Sequence, residues 1–174
     1  MIKSLYFDNT AYQYAYELER LIRNFSLPHR LEFYTDKTPH GTDYAYFCAD
    51  NGKLSVTVSD NDTVYKESSD VCELSDYENE LCRLLCRCME RHGHAPLPWG
   101  ILTGVRPVKL LRRLAEESSE EQAVKKFEKD FFVSNEKIAL SRETEHNERK
   151  ILELSKPESF SLYVGIPFCP SRCS

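Results

Sequence analysis

The sequence predicts an α+β fold: a small mixed sheet with an antiparallel meander and packed helices, followed by a helical segment. Three observations predict it. Residues 43–68, "DYAYFCADNGKLSVTVSDNDTVYKES", alternate apolar and polar around Asn51-Gly52. Residues 10–25 and 73–91 repeat apolar side chains at helical spacing. Beyond Pro107 the pattern is almost wholly helical until "SKPESF" at 155–160 breaks it.

Taken in order, residues 1–7 alternate weakly and read as a strand. Ala11, Tyr14, Ala15, Leu18, Leu21, Ile22 and Phe25 then form one face of a helix over 10–25, which "LPHR" ends. Residues 31–34 read as a short strand. Asn51-Gly52 is a type I′ turn pair, because both central residues must take positive φ. With "SDND" as a second turn, 43–68 becomes a meander of three strands, and Cys48 falls inside it as a small buried apolar group. Residues 73–91 form a helix with Leu74, Tyr77, Leu81, Leu84, Leu85 and Cys88 on one stripe. "HGHAPLPWG" at 92–100 is a connector rich in Gly and Pro. Pro107 suits the first turn of the next helix, whose stripe is Val108, Leu111, Leu114 and Ala115. Ala123, Val124 and Phe127 mark a helix over 119–130, and Ser134 caps a longer one running toward Leu154. "SLYVGI" at 161–166 reads as a buried strand.

The 174 residues suffice for one ordinary domain or two small ones. A net charge of −5 supplies no basic excess for nucleic-acid phosphates, so no nucleic-acid partner is expected. Lys109, Arg112 and Arg113 cluster, as a solvated helix face does. The N-terminus lacks the apolar core of a signal peptide and no run approaches the length of a membrane span, so a cytoplasmic location is expected.

Seven cysteines make an odd number and suggest no disulfide framework. "CRLLCRC" at 82–88 invites a metal reading. Cys82 and Cys86 stand one helical turn apart, but at about 100° per residue Cys88 points elsewhere, so these are helix-packing thiols. Cys169 and Cys173 close the sequence behind an apolar run. Two thiolates supply half of a tetrahedral zinc site or part of an iron–sulfur site. A loop after a strand is also where α/β architectures place cofactors.

"YVGIPFCPSRCS" at 163–174 resembles the start of the radical SAM signature, CxxxCxxC, and its "Tyr-x-x-Ile-Pro-Phe-Cys" narrows the resemblance to the oxygen-independent coproporphyrinogen III oxidase group. "PWGILTGVRPVKLLRRL" at 98–114 is similar to the HemZ-type branch of coproporphyrinogen dehydrogenases. Gly165 stands where the better-known oxidases carry His, a form that branch shares. The resemblance implies a [4Fe–4S] cluster with Cys169 and Cys173 as its first two ligands, and a third cysteine two positions past Ser174. It implies S-adenosylmethionine as second cofactor, with Tyr163 beside it. The implied reaction is oxidative decarboxylation of coproporphyrinogen III propionates to vinyl groups, giving protoporphyrinogen IX, with a porphyrinogen substrate and an electron donor as partners. Residues 1–94 would then be an accessory domain and 95–158 a helical connector. Residues 159–174 would be the first strand and truncated loop of a radical SAM (β/α) barrel, in a fragment inactive by itself. A haem-delivering protein that keeps the motif, or a free-standing α+β binding module, are the alternatives. In "GVRP", Gly104 opens a helix and either sets Arg106 near substrate carboxylates or serves turn chemistry alone.

Overall fold

The computed structural model describes residues 2–25, 30–71, 73–104, 106–160 and 162–165. The expected α+β class is what it shows. A five-stranded sheet in the order β2-β1-β3-β4-β5 is formed by β1 (Ser4–Phe7), β2 (Glu32–Thr35), β3 (Tyr44–Asp50), β4 (Lys53–Asp60) and β5 (Thr63–Asp70). Helix α1 (Ala15–Phe25) links β1 to β2, and α2 (Tyr77–Arg91) follows the sheet. Three more helices complete the described chain: α3 (Pro107–Glu117), α4 (Glu120–Lys129) and α5 (Asn135–Glu153).

The interior strand β1 pairs in parallel with both β2 and β3, whereas β3, β4 and β5 form the antiparallel meander. Period-two alternation sends Leu5, Phe7, Ala45, Phe47, Ala49, Leu54, Val56 and Val58 to one face, all buried. Phe7 stacks on its register partner Phe47 at 5.0 Å. Helices α1 and α2 cover this face with Leu18, Leu21, Ile22, Leu81, Leu84 and Leu85. Each such side chain contributes about 1.5–3 kcal/mol when fully buried.

The helix expected over 10–25 begins as a 3-10 turn at Ala11–Tyr14. Asp8 explains the tight start. One of its carboxylate oxygens accepts from the Ala11 N–H and the other from the Ala49 N–H, both at 2.6 Å. The same carboxylate thus closes the turn and ties the end of β1 to β3. A second 3-10 turn, Leu74–Asp76, precedes α2 and leaves Leu74 exposed. This corrects its place on the apolar stripe, because a 3-10 turn advances about 120° per residue and shifts the phase.

Strands β2 and β3 lie on either side of β1 and run the same way, so residues 36–43 must return across it. They cross the face opposite the helices. There Tyr6 stacks on Tyr34 at 4.8 Å and its hydroxyl lies 3.0 Å from His40 Nδ1. Tyr6 is only 1% exposed although most of that face meets solvent.

In the helical part, Ser119 and Ser134 accept from the N–H groups of Gln122 and Lys137, capping α4 and α5. Leu111, Leu114, Ala123, Phe127 and Ile138 face inward. The 98–104 block joins this part to the sheet. The Ile101 N–H donates to Phe131 O at 2.9 Å, and Ser134 N–H to Pro98 O at 3.0 Å. Arg83 of α2 donates to Asp130 O at 3.1 Å. One cluster of buried apolar residues therefore extends from Ile2 to Ile138.

Residues 162–165 are neither paired nor buried: Leu162, Tyr163 and Val164 are all exposed. This corrects the buried strand expected over 161–166, of which 161 and 166 lie outside the described residues. A strand is made by its neighbours, and no described strand pairs with this segment.

Candidate functional site

The residues that carry the implied cofactor chemistry are few. Tyr163 is 91% exposed. Its ring lies against Gly165, where an added Cβ would sit 3.0 Å from Tyr163 Cε1. Cys169 and Cys173, the expected cluster ligands, lie outside the described residues. The described part of the chain thus places Tyr163 on the surface.

The other cysteines divide as their positions dictate. Cys82, Cys86 and Cys88 are buried in α2. Cys88 faces the sheet, donating to Val56 O at 3.5 Å. Burial pushes the Cys86 thiol up to about 12 and Cys88 to about 11, and raises Cys82 further. Thiols so disfavoured as thiolates are packing groups. Cys48 departs from the expectation. It is half-buried on the open face, because the register gives the core positions to Phe47 and Ala49. Burial, reinforced by a hydrogen bond to Asp8, raises its thiol to about 11. Among the described residues no three His, Cys, Asp or Glu side chains converge as metal ligands do. None of the described helices is long and apolar enough to cross a membrane.

The "PWGILTGVRP" block resolves into two roles. Gly100 and Gly104 take φ of +55° and +67° and let other groups approach closely. At Gly100 a Cβ would meet the carbonyl of Phe131 and the backbone of Phe132; at Gly104, the guanidinium of Arg20. Trp99 lies under the Lys137 ammonium at 5.8 Å. These residues are junction chemistry. Arg106 is different: it occupies the N-cap position of α3, exposed and without a capping hydrogen bond. With Lys109, Leu110 and Arg113 it lines an open cleft of about 370 Å³. The sequence reading of Lys109, Arg112 and Arg113 as one solvated face holds only in part. Arg112 turns to α5, where its Nη2 lies 2.6 Å from Glu148 and its Nε 3.3 Å from Glu145. Sequence reasoning missed this division, although a spacing of three to four residues among 106, 109 or 110, and 113 was its signal.

Fold and tail together define an α+β unit that leads into a cysteine-bearing segment. Among curated proteins, the chain is similar to the oxygen-independent coproporphyrinogen-III oxidase-like protein HemZ of Bacillus subtilis (strain 168). The two are 35% identical over 100 residues, which is 56% of this chain and 20% of that protein. The chain thus spans about a fifth of that relative's length. This similarity supports the relationship to the HemZ-type group that the sequence motifs suggest. No protein-family model matches the chain. No solved structure matches it either.

Proposed function

We propose that this chain is the N-terminal part of a radical SAM oxidoreductase of haem biosynthesis, one that converts coproporphyrinogen III to protoporphyrinogen IX. The observation that carries the reading is the 35% identity to a coproporphyrinogen-III oxidase-like protein. The "GIPFC" and Cys169/Cys173 tail agrees with it. In this reading residues 1–94 are an accessory domain, 95–158 a helical connector, and 159–174 the entry to a catalytic barrel. The protein works in the cytoplasm with a porphyrinogen and an external electron donor.

The donor set fits the implied cluster in kind and falls short in number. Cys169 and Cys173 offer thiolates, the ligands iron–sulfur clusters use, but a radical SAM cluster takes three. When bound, the cluster and S-adenosylmethionine supply the one-electron chemistry that removes hydrogen from an unactivated carbon. The chain's own share is positional. Cys169 and Cys173 would serve as two of the cluster ligands, and exposed Tyr163 would lie at the site of the second cofactor. The junction block 98–104 would orient the tail relative to the sheet.

Two experiments test the proposal. Reading the encoding frame past Ser174 should reveal a cysteine at the second following codon; a stop or any other residue there contradicts the reading. Anaerobic turnover of the extended protein with coproporphyrinogen III should then show stepwise loss of carbon dioxide by mass spectrometry. Haem transfer with no vinyl product would favour a haem-delivering protein instead.

A further inference from the structure

Arg106, Lys109 and Arg113 share one side of α3 and wall the cleft described above, with half-buried Leu110 as its apolar floor. Their pairing is unlike that of the neighbouring arginine. Arg112 reaches two carboxylates on α5. Arg106 and Lys109 have no carboxylate partner among the described residues. Arg113 meets only Glu117, at 3.7 Å, with both side chains mostly in water. Two cations without a carboxylate partner among the described residues, beside a third that is only loosely paired, stand out in a chain of net charge −5.

The local energetics run against these cations. No acidic residue lies in the first turn of α3, whereas the first turns of α1, α2, α4 and α5 all carry glutamate. Arg106 at the N-cap and Lys109 in the first turn face the positive end of the helix dipole, where cations are disfavoured. Pro107 fixes the helix start here without supplying a cap. An anion seated between three like charges over an apolar floor would gain from all of them at once and from the helix dipole.

We propose that this cleft binds an anionic ligand bearing at least two carboxylates beside an apolar body. The spread of the cations over two helical turns suits separated carboxylates, which Arg106 and Arg113 engage as planar forks and Lys109 as a point charge. Leu110 receives the apolar part. A tetracarboxylate macrocycle is one such ligand. That identification rests on the haem-biosynthesis reading, whereas the anion site itself does not.

The experiment uses the chain with two probes at about 0.1 M salt, where exposed charges more than about 10 Å apart are screened. Citrate, followed calorimetrically, reports a carboxylate site of any kind. Coproporphyrin III, followed by its fluorescence, reports the macrocycle. The reversal Arg106→Glu with Lys109→Glu should weaken binding about tenfold or more, and Lys53→Glu on β4 should leave it unchanged; circular dichroism checks that the exposed substitutions keep the fold. Loss of citrate binding on reversal, with no coproporphyrin binding by the unmodified chain, supports the site and counts against the haem-biosynthesis reading. Loss of binding for both probes, or for coproporphyrin alone, supports the site and its ligand class together. Binding indifferent to the reversal, or no binding of either probe, overturns the inference.

Discussion

Replacing Gly100 by alanine should damage this protein far more than the same change at Gly104, although both glycines have positive φ, +55° and +67°. Holding an L residue in that region costs about 1–2 kcal/mol at either position. The surroundings separate them. At Gly104 the new methyl meets the far end of the Arg20 side chain, which swings away. At Gly100 it meets the Phe131 carbonyl and comes within 2.6 Å of the Phe132 carbonyl oxygen, so backbone must move. Moving it strains the Ile101 N–H to Phe131 O bond, worth about 1 kcal/mol, and unseats Phe131 from the core. The total is about 3 kcal/mol for Gly100→Ala and about 1 kcal/mol for Gly104→Ala. With a urea slope of about 2 kcal/mol per molar, the midpoints fall by about 1.5 M and about 0.5 M. Trp99, the single tryptophan, reports the junction by fluorescence, and far-ultraviolet circular dichroism reports the whole fold. Equal midpoints for the two variants would refute the assignment of this block to packing.

Other outcomes follow from the same structure. Arg149 and then Arg112 hold the Glu145 carboxyl below its ordinary range by hydrogen bonds and charge. A depressed folded value means stability that is complete above the unfolded carboxylate pKa and lost as pH falls through the folded one. Glu145→Gln should therefore flatten the acid limb of a melting-temperature profile below about pH 4.5; an unchanged limb would remove Glu145 from the account. Iodoacetamide at pH 8 should leave Cys82, Cys86 and Cys88 unmodified in the native protein and label them in urea, as peptide mass spectrometry reads; rapid native labelling would contradict their packing role. Phe127, fully buried and edge-on to Phe131 at 5.8 Å, should cost about 3–5 kcal/mol when cut to alanine, and a loss under 1 kcal/mol in urea melts would place it outside the core.

Local chemistry was legible in the sequence, and partner choice was not. Asn51 and Gly52 do take positive φ, 46° and 83°, since a two-residue hairpin demands it whatever lies around it. Ser134 caps α5 because its hydroxyl needs only an N–H three residues on. Nothing local told β2 to lie beside β1, or residues 36–43 to cross over Tyr6; those follow from pairings distant in sequence. Cys48 shows the same limit, for alternation tells that two faces exist and only packing tells which face is covered. At the candidate site, "YVGIPFCPSRCS" carried the resemblance; of it, residues 163–165 are exposed and unpaired, and the rest lies outside the described residues. Arg106 was visible as a residue type, but its want of a partner emerged only when Arg112 was seen to turn toward Glu145 and Glu148.

The central claim, that Cys169 and Cys173 begin a radical SAM cluster loop in a HemZ-like protein, is tested most directly by anaerobic reconstitution of the extended protein with iron and sulfide. Iron content and the spectrum of the reduced cluster are then read for the unmodified protein and for Cys169→Ser. The account predicts a [4Fe–4S] signal, altered by added S-adenosylmethionine, that Cys169→Ser abolishes. A cluster that persists in Cys169→Ser, or none in the unmodified protein, would contradict it.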